Sequence, residues 1–283
     1  MSCRALPCFW LAVLGLVACS SAPPDPAPRL VSADLWLLGE VHDNANVHTL
    51  RQQTLQTLLD QGHRPALLME QFDRERQGQI DRLLQRAPGR GPDDAERGRA
   101  VDALVHLGGA ATSGWQWDLY RPYLHLALRY QLPLVAANVS RADARAVMAQ
   151  GLAARGFAAD VPADISAAQA GQIERSHCGQ IDARQAGRMV LAQVARDQFM
   201  ARQVVAHAGR GVVLLAGNGH VRKDLGVPRW LPATLQQRTQ VIGFVEAGDD
   251  DAVAAAFDQR VSAPAAARDD PCAAMRPAPA PAR

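Results

Sequence analysis

Short, nearly continuous apolar runs alternate along this chain with longer segments of helical, amphipathic periodicity. The apolar runs predict strands over residues 34–39, 66–70, 132–137, 211–216 and 240–246. The intervening patterns predict helices over 46–61, 74–85, 95–107, 117–130, 141–150 and 183–208. Strands that are apolar throughout are buried on both faces, and strand–helix alternation is typical of parallel sheets. The sequence therefore predicts an α/β fold with a mostly parallel sheet flanked by helices.

Two of the connections are long enough to hold more than one helix. They join the second strand to the third and the third strand to the fourth, and residues 151–165 within the latter resemble a loop. We expect these insertions to form a helical cap or a partner surface over one end of the sheet.

The N-terminus has the composition of a secretory signal. Arg4 precedes an apolar stretch that ends in Leu-Val-Ala-Cys at Cys19, and this stretch is too short to span a bilayer. The ending resembles the bacterial lipobox, which predicts a signal peptide over 1–18 and lipidation of Cys19. An ordinary signal peptide or an apolar anchor is the alternative. Ser20 after the cysteine favours the outer membrane.

The rest of the chain divides into three parts. A Pro- and Ala-rich tether is predicted over 19–29, a single α/β domain over 30–262, and a disordered tail over 263–283, where large apolar residues are almost absent. The formal net charge of +2 gives no indication of nucleic-acid binding. A disulfide between Cys178 and Cys272 is possible, but a buried free Cys178 is the preferred prediction because Cys272 lies in the tail.

Two predicted strands run directly into Gly-x-x-His. The first gives Gly39 to His42 and the fourth gives Gly217 to His220. Ligands of open α/β sheets bind beyond the carboxyl ends of the strands, and glycine permits a sharp turn there. The sequence therefore predicts a chemical site at this edge of the sheet.

Carboxylates accompany these histidines at the strand ends. Glu40 precedes His42 by two residues, and Glu70 ends the second strand. Imidazole and carboxylate groups suit acid–base catalysis or a divalent metal, for which His42, Glu70 and His220 are the candidate ligands and Glu40 a supporting group. The alternative is that these side chains only cap helices and bond to one another.

All three tyrosines fall in one predicted helix that also carries tryptophan and arginine. They are Tyr120, Tyr123 and Tyr130. Tyrosine can ligate haem iron, whereas an amphipathic helix that buries aromatic side chains is the simpler explanation. His177, beside Cys178 in a predicted loop, is a weaker haem or metal candidate. The sequence lacks a Gly-x-Ser-x-Gly elbow, a phosphate-binding loop and a Cys-x-x-Cys pair, which disfavours the corresponding enzyme classes.

These motifs, taken in order, resemble the ChaN family of haem-binding, iron-regulated bacterial lipoproteins. The stretches that carry the resemblance are 39–44, 69–72, 117–122, 137–139, 177–179, 192–197 and 217–220. The wider superfamily includes Tiki-type metalloproteases and erythromycin esterases, which use the same glutamate and histidine strand ends.

The two levels of resemblance imply different functions. The ChaN family implies a non-enzymatic protein of haem uptake or storage, with haem shared at a homodimer interface and Tyr120, Tyr123, Tyr130 and His177 as candidate contacts. A membrane anchor and an outer-membrane haem receptor as partner would accompany it. The superfamily implies a metal-dependent hydrolase with Glu40, His42, Glu70 and His220 as the catalytic set. A structural envelope lipoprotein is the third possibility.

Overall fold

The computed structural model describes residues 28–31, 33–86, 94–109, 114–248, 251–270 and 272–273. The predicted signal peptide, Cys19 and nearly all of the predicted tether lie outside these residues, as does most of the chain after residue 270. In the described part of the chain, no helix combines the length and the apolar character that a membrane span needs.

Strands and helices alternate as the sequence predicts. The strands are β1 (Leu35–Leu38), β2 (Ala66–Asp73), β3 (Leu134–Asn138), β4 (Val212–Leu215), β5 (Thr239–Glu246) and β6 (Gln259–Ala263). The helices are α1 (Ala45–Asp60), α2 (Gln77–Arg86), α3 (Asp94–Leu107), α4 (Trp117–Arg129), α5 (Arg141–Gln150), α6 (Ala163–Ser176), α7 (Ala183–His207), α8 (Asn218–Val221) and α9 (Ala233–Gln236). Short 3₁₀ segments are Arg74–Arg76, Ala153–Arg155, Val227–Trp230 and Asp251–Ala256.

The strands described form one sheet in the order β3-β2-β4-β1-β5-β6, and every neighbouring pair is parallel. The connection from β1 to β2 passes β4 on one face of the sheet, and the connection from β4 to β5 passes β1 on the other face. Because the chain leaves these neighbouring strands on opposite faces, a crevice opens between the carboxyl ends of β1 and β4, the position where open α/β sheets bind ligands. The predicted fold class is confirmed.

Each face of the sheet has its own apolar core. Trp36 and Leu38 of β1 pack with α1 to α4 on one face. Leu35 and Leu37 point to the opposite face and pack with the C-terminal half of α7. This alternation follows from the two-residue period of a strand, and it explains why β1 is apolar at every position.

Helices α5, α6 and α7 enclose a third apolar cluster. A capping box between Asp182 and Gln185 fixes the start of α7, whose 25 residues exceed what is needed to cross the sheet. The long insertion before β4 therefore forms the predicted helical cap. The insertion before β3 differs, because α3 and α4 pack within the core of the first sheet face.

Helices α6, α8 and α9 and strand β6 were not predicted. Helix α6 buries only Ile165, Gln169 and Ile173, so its sequence of small and polar residues shows little amphipathic contrast. Strand β6 has the sequence Gln-Arg-Val-Ser-Ala and lies at the sheet edge, where one side pairs with β5. Helix α6 and strand β6 depend on tertiary contacts more than on local pattern.

Candidate functional site

The crevice between β1 and β4 brings both Gly-x-x-His segments together. A methyl group on Gly217 would lie 2.9 Å from Cε1 and Nε2 of His42, so only glycine permits this approach. A methyl group on Gly39 would similarly collide with Asn218. The backbone of Gly217 has φ of −60°, which any residue adopts, so close packing rather than a special turn requires glycine here.

His42 is held by a buried carboxylate. Its Nδ1 lies 2.7 Å from Oε1 of Glu40, which also accepts the Tyr120 hydroxyl at 2.6 Å. Arg51 forms an ion pair with the other carboxylate oxygen. Burial disfavours the charge of Glu40, but Arg51 and the hydrogen bond from His42 outweigh it and lower its pKa to about 2. Glu40 is therefore ionised, and His42 donates through Nδ1.

His220 has a matching partner on the long cap helix. Its Nδ1 lies 2.6 Å from Oδ1 of Asp197, and Gln169 donates to the second oxygen of Asp197 at 3.0 Å. Burial lowers the pKa of His220, but the charges of Glu70 and Asp197 exceed this effect and raise it overall. Burial raises the pKa of Asp197.

Glu70 lies between the two histidines. One oxygen accepts the backbone N–H of Gly217 at 2.8 Å, and the other lies 3.5 Å from Nε2 of His220. The pKa of His42 is lowered by burial and raised more strongly by its bond to Glu40 and the charge of Glu70. Two imidazoles, each fixed through Nδ1 by a buried carboxylate, thus flank a third carboxylate.

Two clefts open from this centre, with volumes of 610 and 630 Å³. His42, Gln193 and His220 line both of them. The side chain of His42 is 48 % exposed, and its ring meets the edge of Trp115 with centroids 4.8 Å apart. The volumes suit small molecules, whose sites usually range from about 300 to 1,000 Å³.

A buried polar layer supports Glu40 from below. Arg51 has no solvent exposure, and its Nε donates to the hydroxyl of Tyr123 at 3.1 Å. Tyr123 in turn donates to the carbonyl of His48 at 2.9 Å. Burial, with the charge of Arg51 next in importance, lowers the pKa of His48 to about 4, so His48 is neutral at pH 7.

Two of the three predicted haem tyrosines, Tyr120 and Tyr123, do not fit iron ligation in this structure. Tyr120 and Tyr123 have no exposed surface, and both hydroxyls donate within the buried layer. Burial also raises the pKa of each phenol, which opposes phenolate formation. Tyr130 ends α4 at the opposite edge of the sheet and bonds to Gln56 and Asp60. The simpler explanation of this helix, aromatic packing, holds for Tyr120 and Tyr123.

The metal interpretation receives no support from the arrangement of side chains. Among the residues that the structure describes, no group of three or more His, Cys, Asp or Glu is placed to hold a metal ion. His42, Glu70 and His220 do converge, and Nδ1 of each histidine and one oxygen of Glu70 are hydrogen-bonded to other protein atoms.

Residues 263–270 and 272–273, within the predicted disordered tail, are placed against the domain. Arg268 binds Asp43 through two hydrogen bonds of 2.8 and 3.0 Å, and it also binds Glu246. Cys178 and Cys272 form a disulfide with Cα atoms 5.6 Å apart, so the preference for a free Cys178 is wrong. Polar anchors hold this segment, which composition alone does not reveal.

Several residues of the site were missed by sequence reasoning. Asp197 lies within one of the stretches that carry the family resemblance, residues 192–197, but no role was predicted for it. Arg51 and His48 lie in an ordinary helical pattern. A charged residue on the inward face of a predicted helix could have indicated them, because buried charges are normally paired and therefore imply a partner nearby.

Comparison with known proteins identifies the family. Residues 27–231 match the family described as "Haem-binding uptake, Tiki superfamily, ChaN", and the chain belongs to this family. ChaN of Campylobacter jejuni, solved with cofacial haem binding, is 18 % identical with a TM-score of 0.59, over 78 % of this chain and 84 % of that one. This likeness shows the fold.

Two further solved structures are more distant. The type III effector HopBA1 is 15 % identical with a TM-score of 0.42, over 82 % of this chain and 88 % of that one. The erythromycin esterase EreC in its open conformation is 15 % identical with a TM-score of 0.39, over 77 % and 71 %. No curated protein matches the sequence.

Proposed function

We propose that this protein binds haem in the bacterial envelope and serves haem or iron uptake or storage. The family match over residues 27–231 is the observation that carries the proposal. A lipid anchor at Cys19, an outer-membrane location and a haem receptor as partner complete it, and these rest on the sequence.

His177 is the iron ligand that fits this proposal best. Its Nδ1 lies 2.8 Å from the carbonyl oxygen of Ile173, to which it can donate. Ligating histidines usually donate their second ring nitrogen in this way, because it fixes the tautomer and the ring orientation. Within the described residues, Nε2 of His177 has no hydrogen-bond partner, and the side chain is partly exposed at the tip of the cap.

A homodimer that meets at the cap follows from this placement. A two-fold axis near the tip of α6 brings two copies of His177 to one interface. The cofacial haem of the Campylobacter jejuni protein is consistent with such an arrangement.

Haemin titration of the chain from Ser20 to Arg283 tests this function, followed by visible absorption and by mass in solution. We expect a saturable Soret band and a shift towards dimer. A linear, unsaturated rise in absorbance with an unchanged mass would contradict the proposal.

A second function, hydrolysis at the strand ends, is favoured by the two carboxylate-bound histidines. With Nδ1 of His42 donating to Glu40, Nε2 has a free lone pair that can accept a proton from a water molecule. The ionised Glu40 then stabilises the imidazolium, as a buried carboxylate does in a catalytic triad. His220, supported by Asp197, can donate a proton or stabilise developing negative charge on the substrate.

A panel of activated esters and amides, assayed with His42→Asn and His220→Asn, tests the second function. General acid–base groups contribute roughly 10²–10⁴-fold, so each variant should lose at least about 100-fold in rate. Metal analysis of the same samples tests whether a stoichiometric divalent ion accompanies activity. If wild type and both variants hydrolyse the substrates at equal rates, the activity comes from a contaminant and this function is refuted.

A further inference from the structure

The first of the two clefts has a strongly basic wall. The 610 Å³ cleft is lined by Arg76, Arg141 and Arg196, from the 3₁₀ turn after β2, the start of α5 and the middle of α7. His42 and His220 lie at its inner end. Three separate elements of the fold thus contribute a guanidinium to one small cavity.

Three arginines and two carboxylates, Asp73 and Glu70, line this cleft, so its formal charge is positive. Burial and the charge of Glu75 raise the pKa of Asp73, although the three arginines around it each act electrostatically to lower that pKa. Neutral amides are the partners of Arg76 and Arg196, which donate to Gln79 and Gln193. The neighbouring Arg74 and Arg155 differ, since both form ion pairs with Asp143.

A second observation points to a missing partner in the same cleft. Gln71 and Asn138 line it and are 3 % and 8 % exposed. Among the residues that the structure describes, none donates a hydrogen bond to their side-chain carbonyl oxygens. Buried acceptors without a donor are uncommon in folded proteins, and an ordered water or a ligand group usually satisfies them.

We infer that this cleft binds a small molecule or a chain end through an oxyanion, either a carboxylate or a phosphate. Guanidinium groups pair in bidentate fashion with both, and more strongly in a cleft that excludes water. The remainder of the ligand, carrying an N–H or O–H donor for the carbonyl oxygens of Gln71 and Asn138, then extends towards the two histidines. This site is separate from the haem contact proposed at His177, and binding does not require hydrolysis.

Phenyl phosphate, benzoate and the uncharged benzyl alcohol form a matched set of probes for calorimetric titration. We expect saturable binding of at least one oxyanion and at least about 10-fold weaker binding of benzyl alcohol. Tighter binding of phenyl phosphate assigns a phosphate ligand, and tighter binding of benzoate assigns a carboxylate ligand.

Arg76→Gln and Arg196→Gln test the wall directly. Each should weaken binding of the preferred oxyanion about 10-fold, whereas Arg210→Gln, an exposed control at the opposite edge of the sheet, should leave it unchanged. Far-ultraviolet circular dichroism verifies that the variants fold. Absence of saturable oxyanion binding, or equal affinities in all variants, would overturn the inference. Because these titrations contain no haem, their failure is distinct from failure of the haem proposal.

Discussion

The hydroxyl of Tyr120 donates to Oε1 of Glu40 at 2.6 Å, in the interior of the protein. The same oxygen accepts Nδ1 of His42 at 2.7 Å. Tyr120 therefore positions the carboxylate that orients a histidine of the crevice. Because its hydroxyl is buried in this contact, Tyr120 is not accessible to haem. The contact also links the aromatic helix α4 to the strand-end site.

Tyr120→Phe should lower stability without affecting haem affinity. Loss of the hydroxyl leaves a buried, charged acceptor with one donor fewer, which costs roughly 1–3 kcal/mol. Urea denaturation measures the stability, and haemin titration measures the affinity. Tyr130→Phe is the matched control, because its hydroxyl bonds near the surface and should contribute less. A large loss of haem affinity in Tyr120→Phe would contradict the burial of this phenol.

Arg51→Met should destabilise the protein by roughly 3–5 kcal/mol, because the buried Glu40 carboxylate would lose its ion-pair partner. The double variant Glu40→Gln with Arg51→Met should recover much of this loss, since it removes the uncompensated charge. Both are measured by chemical denaturation. A stability loss in the double variant that equals the sum of the two single losses would show that the two residues are not coupled.

Stability should fall between pH 6.5 and pH 4 because of His48. In the unfolded chain His48 binds a proton near the ordinary histidine pKa of 6.5, but in the folded protein it does so only at about 4. Between these values the unfolded state binds more protons, so the free energy of unfolding falls by roughly 1.4 kcal/mol per pH unit. The pKa values of His42 and His220 are raised in the folded protein. The stabilisation that each histidine contributes is therefore complete below pH 6.5 and is lost as the pH rises through the raised pKa.

His48→Gln isolates this effect, because glutamine can replace the donor that His48 directs to the carbonyl of His42 at 3.1 Å. The difference in unfolding free energy between wild type and His48→Gln should shift in favour of the variant as the pH falls from 6.5 to 4. A difference that stays constant over this range would show that His48 takes up its proton at the same pH in the folded protein as in the unfolded chain.

Loss of the disulfide should destabilise the domain. Cys178 and Cys272 are 94 residues apart, and a loop of this size constrains the unfolded chain by roughly 2–5 kcal/mol. Cys272→Ser should lower the denaturation midpoint, and adding a dithiol reductant to wild type should produce the same shift. The reductant should not affect Cys272→Ser further. Identical midpoints for oxidised and reduced wild type would mean that the bond does not form in solution.

The sheet and the crevice were predictable from the sequence because both depend on strong local patterns. Apolar runs marked β1 to β5, and Gly-x-x-His marked the ends of β1 and β4. Parallel topology then required His42 and His220 to meet at one edge, as the structure has them.

The partners of the histidines were harder to predict than the histidines themselves. Asp197 reaches His220 only because α7 crosses the sheet at a particular angle, which no local pattern encodes. Similarly, exposure of a tyrosine depends on which face of α4 is covered. Tyr120 and Tyr123 are three residues apart and both point inward, whereas Tyr130 lies beyond the end of the helix. Polar contacts of Arg268 explain why residues 264–270, which are poor in large apolar side chains, pack on the domain.

Haemin titration of wild type, His177→Ala, Tyr130→Phe and Tyr120→Phe tests most directly whether this family member binds haem through a histidine at its cap. We predict a saturable Soret band in wild type, at least about 10-fold weaker binding with a shifted band in His177→Ala, and unchanged affinity in both tyrosine variants. Unchanged binding in His177→Ala, together with loss of binding in either tyrosine variant, would contradict histidine ligation and return the assignment to tyrosine.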